Sequence, residues 1–132
     1  MSATVLDATA VLALLNDEPG AGKVASLLSR AVISTVNLAE VVSKLAEAGI
    51  SEERIKTVLG ALGLVAIPFD EDLALRTGLL RPATSDYGLS LDDHAYLALG
   101  QYLRRPVLTA DRTWKTLKLD VEIQTIPIKP PR

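Results

Sequence analysis

Five acidic side chains occupy positions from which they could act on one ligand: Asp7, Glu40, Asp92, Asp93 and Asp111. Two of them follow short apolar segments of the strand type, one lies in the first turn of a predicted helix, and an adjacent pair begins a mostly apolar helix. Carboxylates gathered in one cleft repel each other by roughly 1–4 kcal/mol per close pair unless a cation binds. Oxygen ligands favour Mg²⁺ or Mn²⁺. Such an ion suits phosphodiester hydrolysis, because it activates a water molecule and stabilises the leaving oxygen.

The elements that must position these acids alternate along the chain. Apolar segments predict strands at 4–6, 32–36, 64–69, 107–109 and 121–126, and amphipathic segments predict helices at 8–15, 21–29, 37–48, 52–62, 70–80 and 91–103. Residues 81–90 are predicted to form a loop, and a short helical turn is predicted around Trp114. This order predicts an α/β sandwich with a mainly parallel sheet. Ligands bind at the carboxyl ends of such strands, where the acids would lie. We expect one domain over residues 1–127 and a short tail at 128–132.

Each acid also has a purely structural explanation as part of a helix cap. Asp7 would cap the first helix, and Asn37 with Glu40 resembles a capping box in which Asn replaces Ser or Thr. Either Asp92 or Asp93 would cap the helix that the pair begins, and Asp111 would cap the turn around Trp114. Four such coincidences at matching places in one sheet are less probable than one shared site, so we interpret the acids as a site.

The composition excludes several classes of protein. The 132 residues are 48% hydrophobic, which indicates a globular domain, and no run of about 18 apolar residues predicts a membrane span. The absence of Cys excludes a disulfide scaffold and a thiolate metal site. Because the N-terminus does not resemble a signal peptide either, we expect a cytoplasmic protein. The net charge of −2 offers no overall attraction to nucleic acid, so a nucleic-acid enzyme would need cations or local basic residues.

Four segments resemble those of PIN-domain proteins, specifically VapC-type toxins of type II toxin–antitoxin systems. They lie at 5–8, 34–41, 88–91 (with Asp93 and the apolar run at 97–99) and 108–114. The resemblance implies a three-layer α/β/α sandwich and an Mg²⁺- or Mn²⁺-dependent endoribonuclease. It also implies that Asp7, Glu40, Asp93 and Asp111 are the catalytic and metal-binding acids. Thr109 resembles a catalytic hydroxyl of the family.

The chain departs from the family pattern at the double acid. Similar toxins usually have Gly-Asp-Arg where this chain has Asp92-Asp93-His94. By that register Asp93 is the ligand and Asp92 replaces a glycine, so Asp92 could be a cap, a residue behind the ligands or a ligand itself. We expect His94 to be structural. Further candidates for supporting or substrate-binding roles, drawn from the rim of the site and its basic residues, are Asn37, Arg112, Arg81 and Lys115.

The resemblance also implies partners. They are an RNA substrate (tRNA or another structured RNA), a cognate antitoxin whose C-terminal segment covers the acids, and a homodimer or a toxin–antitoxin hetero-oligomer. The main alternative is a non-catalytic PIN-like module that binds RNA or a partner. A phosphoacceptor receiver domain is disfavoured because Asp7 has no acidic neighbour. A structure-specific DNA nuclease usually carries more acids and long insertions.

Overall fold

Five parallel strands form the sheet at the centre of the structure, a computed structural model that describes residues 3–110 and 117–127. The strands are β1 (Thr4–Leu6), β2 (Ala31–Ser34), β3 (Val65–Ile67), β4 (Val107–Thr109) and β5 (Ile123–Thr125), and they are ordered β3-β2-β1-β4-β5 across the sheet. Since all four pairings are parallel, the carboxyl ends of these strands lie along one edge of the sheet.

Seven α-helices within the described residues connect and cover the strands. They are α1 (Ala8–Leu15), α2 (Ala21–Leu27), α3 (Thr35–Glu47), α4 (Glu52–Leu62), α5 (Glu71–Leu79), α6 (Arg81–Thr84) and α7 (Leu91–Leu103). Two 3₁₀ segments, Leu28–Arg30 and Ser85–Tyr87, follow α2 and α6.

The helices form a layer on each face of the sheet. Successive strand residues point to opposite faces. Leu6 and Leu108 therefore join the core beneath α1–α4, while their neighbours Val5 and Val107 join the core beneath α5 and α7. Where both faces are covered, as in β1, β2 and β4, the strand residues are mainly apolar instead of alternating with polar residues. The predicted three-layer α/β/α sandwich is confirmed.

The second strand ends two residues earlier than predicted. Thr35 and Val36 have high strand propensity, but Ser34 caps a helix that begins at Thr35, and its side chain accepts a hydrogen bond from the backbone N–H of Val36. The predicted capping box at Asn37 and Glu40 is therefore wrong, and both residues lie inside α3. Tertiary context has outweighed local propensity here.

Other caps and boundaries give a mixed result. Asp7 caps α1 as predicted, and Ser51 and Asp70 cap α4 and α5. The double acid does not supply the cap of α7: Ser90 is that cap, with Asp93 as the third residue of a capping box. The predicted loop at 81–90 contains α6 and a 3₁₀ segment.

The structure also bears on three further predictions. The last strand is shorter than predicted, because only residues 123–125 pair with β4. The turn around Trp114 and the tail at 128–132 lie outside the described residues. Within the described part of the chain, no helix is both long and apolar enough to cross a bilayer.

Replacement by Ala should have opposite effects on stability at two helical glycines, Gly100 and Gly60. A Cβ atom at Gly100 would overlap Val107 Cγ1 and lie 2.9 Å from Val121 Cγ2, so Gly100→Ala must displace these side chains or α7 itself. We expect a loss of about 1–3 kcal/mol in the free energy of unfolding, measured by urea denaturation. Gly60 in α4 has open space around its Cα, so Gly60→Ala should stabilise the chain by about 0.5–1 kcal/mol. Equal effects of the two substitutions would contradict this packing.

Candidate functional site

Asp7 lies where β1 passes into α1, at the carboxyl edge of the sheet. Its side chain is only 4% exposed, and Oδ1 accepts a hydrogen bond from the backbone N–H of Ala10 at 2.9 Å. Because β1 is the central strand, between β2 and β4, Asp7 is flanked by the elements that carry the other candidate residues.

Two hydroxyl groups hold the carboxylate oxygens of Asp7. Thr9 Oγ1 donates to Oδ1 at 2.7 Å, and Thr109 Oγ1 donates to Oδ2 at 2.6 Å. The two hydroxyl oxygens are 3.4 Å apart, and Thr9 Oγ1 also accepts a hydrogen bond from the backbone N–H of Ala110. Thr109 thus lies directly against Asp7. Thr9 was not found from the sequence, although a hydroxyl two residues after a capping Asp was a possible signal.

Glu40 and the double acid reach the same region from α3 and α7, which pack together. Glu40 lies in the second turn of α3, not the first, because the helix begins at Thr35. Asp92 forms hydrogen bonds with the side chains of Glu40 and Ser90. Asp93 Oδ2 accepts a hydrogen bond from the backbone N–H of Ser90 at 3.0 Å. The two adjacent acids therefore differ in role: Asp92 contacts Glu40, whereas Asp93 completes the cap of α7.

Burial is the main cause that raises the pKa of Asp7, from 3.8 to about 6. The hydrogen bonds from Thr109, Thr9 and the Ala10 N–H lower this pKa, and the negative charge of Asp93 raises it. Since the effect of burial exceeds that of the hydrogen bonds, the ionised carboxylate of Asp7 is less stable here than in water.

Burial also raises the pKa of Glu40 from 4.5 to about 8, together with the hydrogen bond to Asp92 and the charges of Asp92, Asp7 and Asp93. The pKa of Asp92 falls, chiefly because Glu40 donates a hydrogen bond to it. At neutral pH the proton therefore lies on Glu40, which donates it in a hydrogen bond to the carboxylate of Asp92. The charges that act on Glu40 are all carboxylates.

The oxygen atoms of this acidic group fit a hard cation by their chemistry. The buried Oδ1 atom of Asn37, beside Asp92, has no hydrogen-bond partner in the described structure. However, no group of three or more His, Cys, Asp or Glu side chains within residues 3–110 and 117–127 is close enough to hold an ion. Asp111, the fourth predicted ligand, lies outside the described residues, so the predicted ligand set stays a prediction.

His94 is structural, as expected. It is 5% exposed, its Nδ1–H donates to the backbone carbonyl of Ser90 at 2.8 Å, and its Nε2 lies 2.6 Å from Thr84 Oγ1. The imidazole thus joins the first turn of α7 to α6. This contact was not predicted, because the segment that contains Thr84 was expected to be a loop.

Of the remaining candidates, Asn37 and Arg81 lie within the described residues, and only Asn37 contacts the segment of the double acid. Asn37, predicted at the rim, is 2% exposed and donates from Nδ2 to the backbone carbonyl of Asp92 at 3.2 Å. Arg81 is exposed at the start of α6 and lines a small cleft with His94. Arg112 and Lys115 lie outside the described residues.

A family model decides the classification. The PIN domain model matches residues 4–118. This chain belongs to the PIN domain family. No curated protein sequence matches it, so the PIN domain assignment rests on the family model and on the fold.

Solved structures share the PIN fold at low sequence identity. DNA-bound VapBC from Salmonella typhimurium is 21% identical with a TM-score of 0.74, and the match covers 95% of this chain and 98% of that chain. VapBC2 from Rickettsia felis, bound to a DNA fragment from its promoter, is 17% identical with a TM-score of 0.71, over 93% and 98% of the two chains. VapBC-5 from Mycobacterium tuberculosis is 20% identical with a TM-score of 0.59, over 97% and 100%. At these identities the likeness is one of fold.

The raised pKa values predict how the stability of this PIN domain depends on pH in the presence of a chelator. A carboxyl group with a raised pKa binds its proton more tightly when folded, so stability falls as pH rises from the ordinary to the folded pKa. For Asp7 this window runs from 3.8 to about 6, a cost of about 3 kcal/mol. For Glu40 it extends to about 8. The free energy of unfolding should therefore fall between about pH 4 and about pH 8.

Urea denaturation at several pH values measures this fall. Asp7→Asn should flatten the lower part of the curve and Glu40→Gln the upper part, because a neutral amide has no charge to desolvate. Asp92, with its lowered pKa, acts in the opposite direction only below pH 3.8. Stability that rises over the measured range would contradict the account of both raised pKa values.

A second prediction concerns Asp92, the first residue of the double acid in α7. Asp92→Gly should lower the pKa of Glu40, because it removes the hydrogen bond and one of the charges that raise this pKa. An NMR titration of the Glu40 side-chain carboxyl measures the change. Asp86→Gly, at an exposed acid of the 3₁₀ segment, is the matched control and should have no effect. If Asp92→Gly also leaves the Glu40 titration unchanged, the contact between the two acids is not the cause.

Proposed function

We propose that this PIN domain is the toxin of a type II toxin–antitoxin system and acts as a Mg²⁺- or Mn²⁺-dependent endoribonuclease. The observation that carries the proposal is the buried carboxylate of Asp7 at the carboxyl edge of the sheet, where the charges of Asp7 and Asp93 both act on Glu40. Mutual repulsion of this kind is a cost that a bound cation removes.

The residues of the site have different proposed roles. Asp7, Glu40, Asp93 and Asp111 are the proposed ligands. Bound there, the cation would lower the pKa of a water molecule and stabilise the leaving oxygen of a phosphodiester. Thr109 holds Asp7 Oδ2 through its hydroxyl, and the backbone N–H of Ala10 holds Oδ1. The Asp7 carboxylate is thereby fixed before any ligand arrives.

The proposed substrate is RNA, with tRNA or another structured RNA as the expected target. Loops of such RNAs can splay their bases into a protein surface. The proposed partner is a cognate antitoxin, because the structural neighbours include a toxin–antitoxin complex from Klebsiella pneumoniae. An antitoxin segment could place a basic side chain among the acids and so replace the cation. Assembly as a homodimer, or as a toxin–antitoxin hetero-oligomer, belongs to the same proposal.

One observation favours a non-catalytic PIN-like binding module as the second candidate. Glu40 shares its proton with Asp92, and a protonated carboxyl group is a poor cation ligand. If the cation does not displace this proton, the acids would only shape a surface for RNA or for a protein partner.

Incubation of total cellular RNA with the purified, partner-free protein tests the two candidates. With Mn²⁺ or Mg²⁺ we expect cleavage at a few discrete sites, and with a chelator none. Asp7→Asn should remove the activity without unfolding the chain, because Asn caps a helix about as well as Asp. Asp70→Asn is the matched control: it makes the same change at the cap of α5 and should retain full activity.

The outcomes separate the candidates. Metal-dependent cleavage that persists in Asp7→Asn would show that Asp7 is not a required ligand or that a contaminant is responsible. A folded wild-type protein that binds RNA but never cleaves it, with either cation and at about pH 8 where Glu40 loses its proton, would favour the binding module.

A further inference from the structure

Asn37 is the polar side chain whose placement the proposed function leaves unexplained. It is 2% exposed, and it lies in the first turn of α3, where Ser34 already caps the helix. It therefore has no capping role. A buried polar group costs free energy unless it is hydrogen-bonded, so an apolar residue would be expected at this position if packing were its only role.

The amide nitrogen of Asn37 links two helices that carry acids. Nδ2 donates to the backbone carbonyl of Asp92 at 3.2 Å, so α3 is tied to the first turn of α7. Glu40 follows Asn37 by three residues, on the same face of α3, and Asp93 follows the bonded carbonyl by one residue. The bond thus joins the helix that carries Glu40 to the helical turn that carries Asp93.

The amide oxygen of Asn37 is evidence for a bound ligand. Oδ1 is buried and has no hydrogen-bond partner within residues 3–110 and 117–127. Unsatisfied buried groups are rare in native proteins and often mark a water, an ion or a catalytic role. Here the unsatisfied atom is an acceptor beside an acidic group, where a bound cation would bring donating water molecules.

We propose that Asn37 is a positioning residue of the acidic site. Its Nδ2 group holds the first turn of α7 against α3, so that Glu40 and Asp93 face the same cation, and its Oδ1 atom accepts a hydrogen bond from the hydrated ion. This inference rests on the proposed metal-dependent function. It adds a residue that contacts the backbone of α7 beside Asp93 and the hydration shell, but not the metal itself.

Mn²⁺ binding to the purified protein, followed by the EPR signal of free Mn²⁺, is the first test. Removal of a group that orients metal ligands typically weakens binding by about 10- to 100-fold, and we expect a loss of this size for Asn37→Ala. Leu45→Ala is the matched control. It truncates another buried side chain of α3 that belongs to the apolar core, so it should lower the melting temperature and leave Mn²⁺ affinity within about twofold of wild type.

A second readout separates positioning from general damage. Asn37→Ala should raise the Mn²⁺ concentration needed for half-maximal RNA cleavage more than it lowers the rate at saturating Mn²⁺. If the alanine variant does not fold, Asn37→Ser gives the same comparison. Its side chain is too short to reach the Asp92 carbonyl, but its hydroxyl can be solvated.

The outcomes distinguish this inference from the function on which it rests. If wild type neither binds Mn²⁺ nor cleaves RNA, the proposed function fails and the inference with it. If wild type does both and the Asn37 variants bind Mn²⁺ equally well, the inference alone is overturned. It is also overturned if Leu45→Ala loses as much Mn²⁺ affinity as Asn37→Ala, because the effect would then follow from lost stability.

Discussion

The burial of one carboxylate at the end of the central strand is the constraint on which the rest of the site depends. Asp7 must end β1 and cap α1 while it lies almost out of reach of water. Thr9, Thr109 and the backbone N–H of Ala10 compensate with three hydrogen bonds. Burial nevertheless raises its pKa to about 6. The fold thus holds a carboxylate whose ionised form is destabilised, which is typical of a functional site rather than of a cap alone.

The neighbouring acids also destabilise the ionised form of Glu40. The charges of Asp7, Asp92 and Asp93 all raise the pKa of Glu40. In the metal-free chain, the hydrogen bond between Glu40 and Asp92 relieves part of the repulsion by sharing a proton. A cation would relieve it differently, by neutralising the carboxylates. Metal binding and proton release are therefore expected to be coupled in this PIN domain.

The PIN domain family explains the architecture but not every residue of the site. The family model spans residues 4–118, and solved VapBC structures share the fold at about one-fifth identity. The proton-sharing pair depends on Asp92. His94 joins α7 to α6 through Thr84. The first turn of α7 thus carries contacts that the family assignment alone does not specify.

The sequence by itself determined the alternation of strands and helices, the α/β sandwich with a mainly parallel sheet and the cap at Asp7, because periodicity and capping act over a few residues. It also predicted that Asp7 ends the first strand at the carboxyl edge, since a parallel sheet requires its strand ends to meet. Only the tertiary structure decided that α3 begins at Thr35, that Asp92 pairs with Glu40, and that Asn37 is buried. The last two outcomes depend on how α3 packs against α7, a contact between segments more than fifty residues apart that no local pattern encodes.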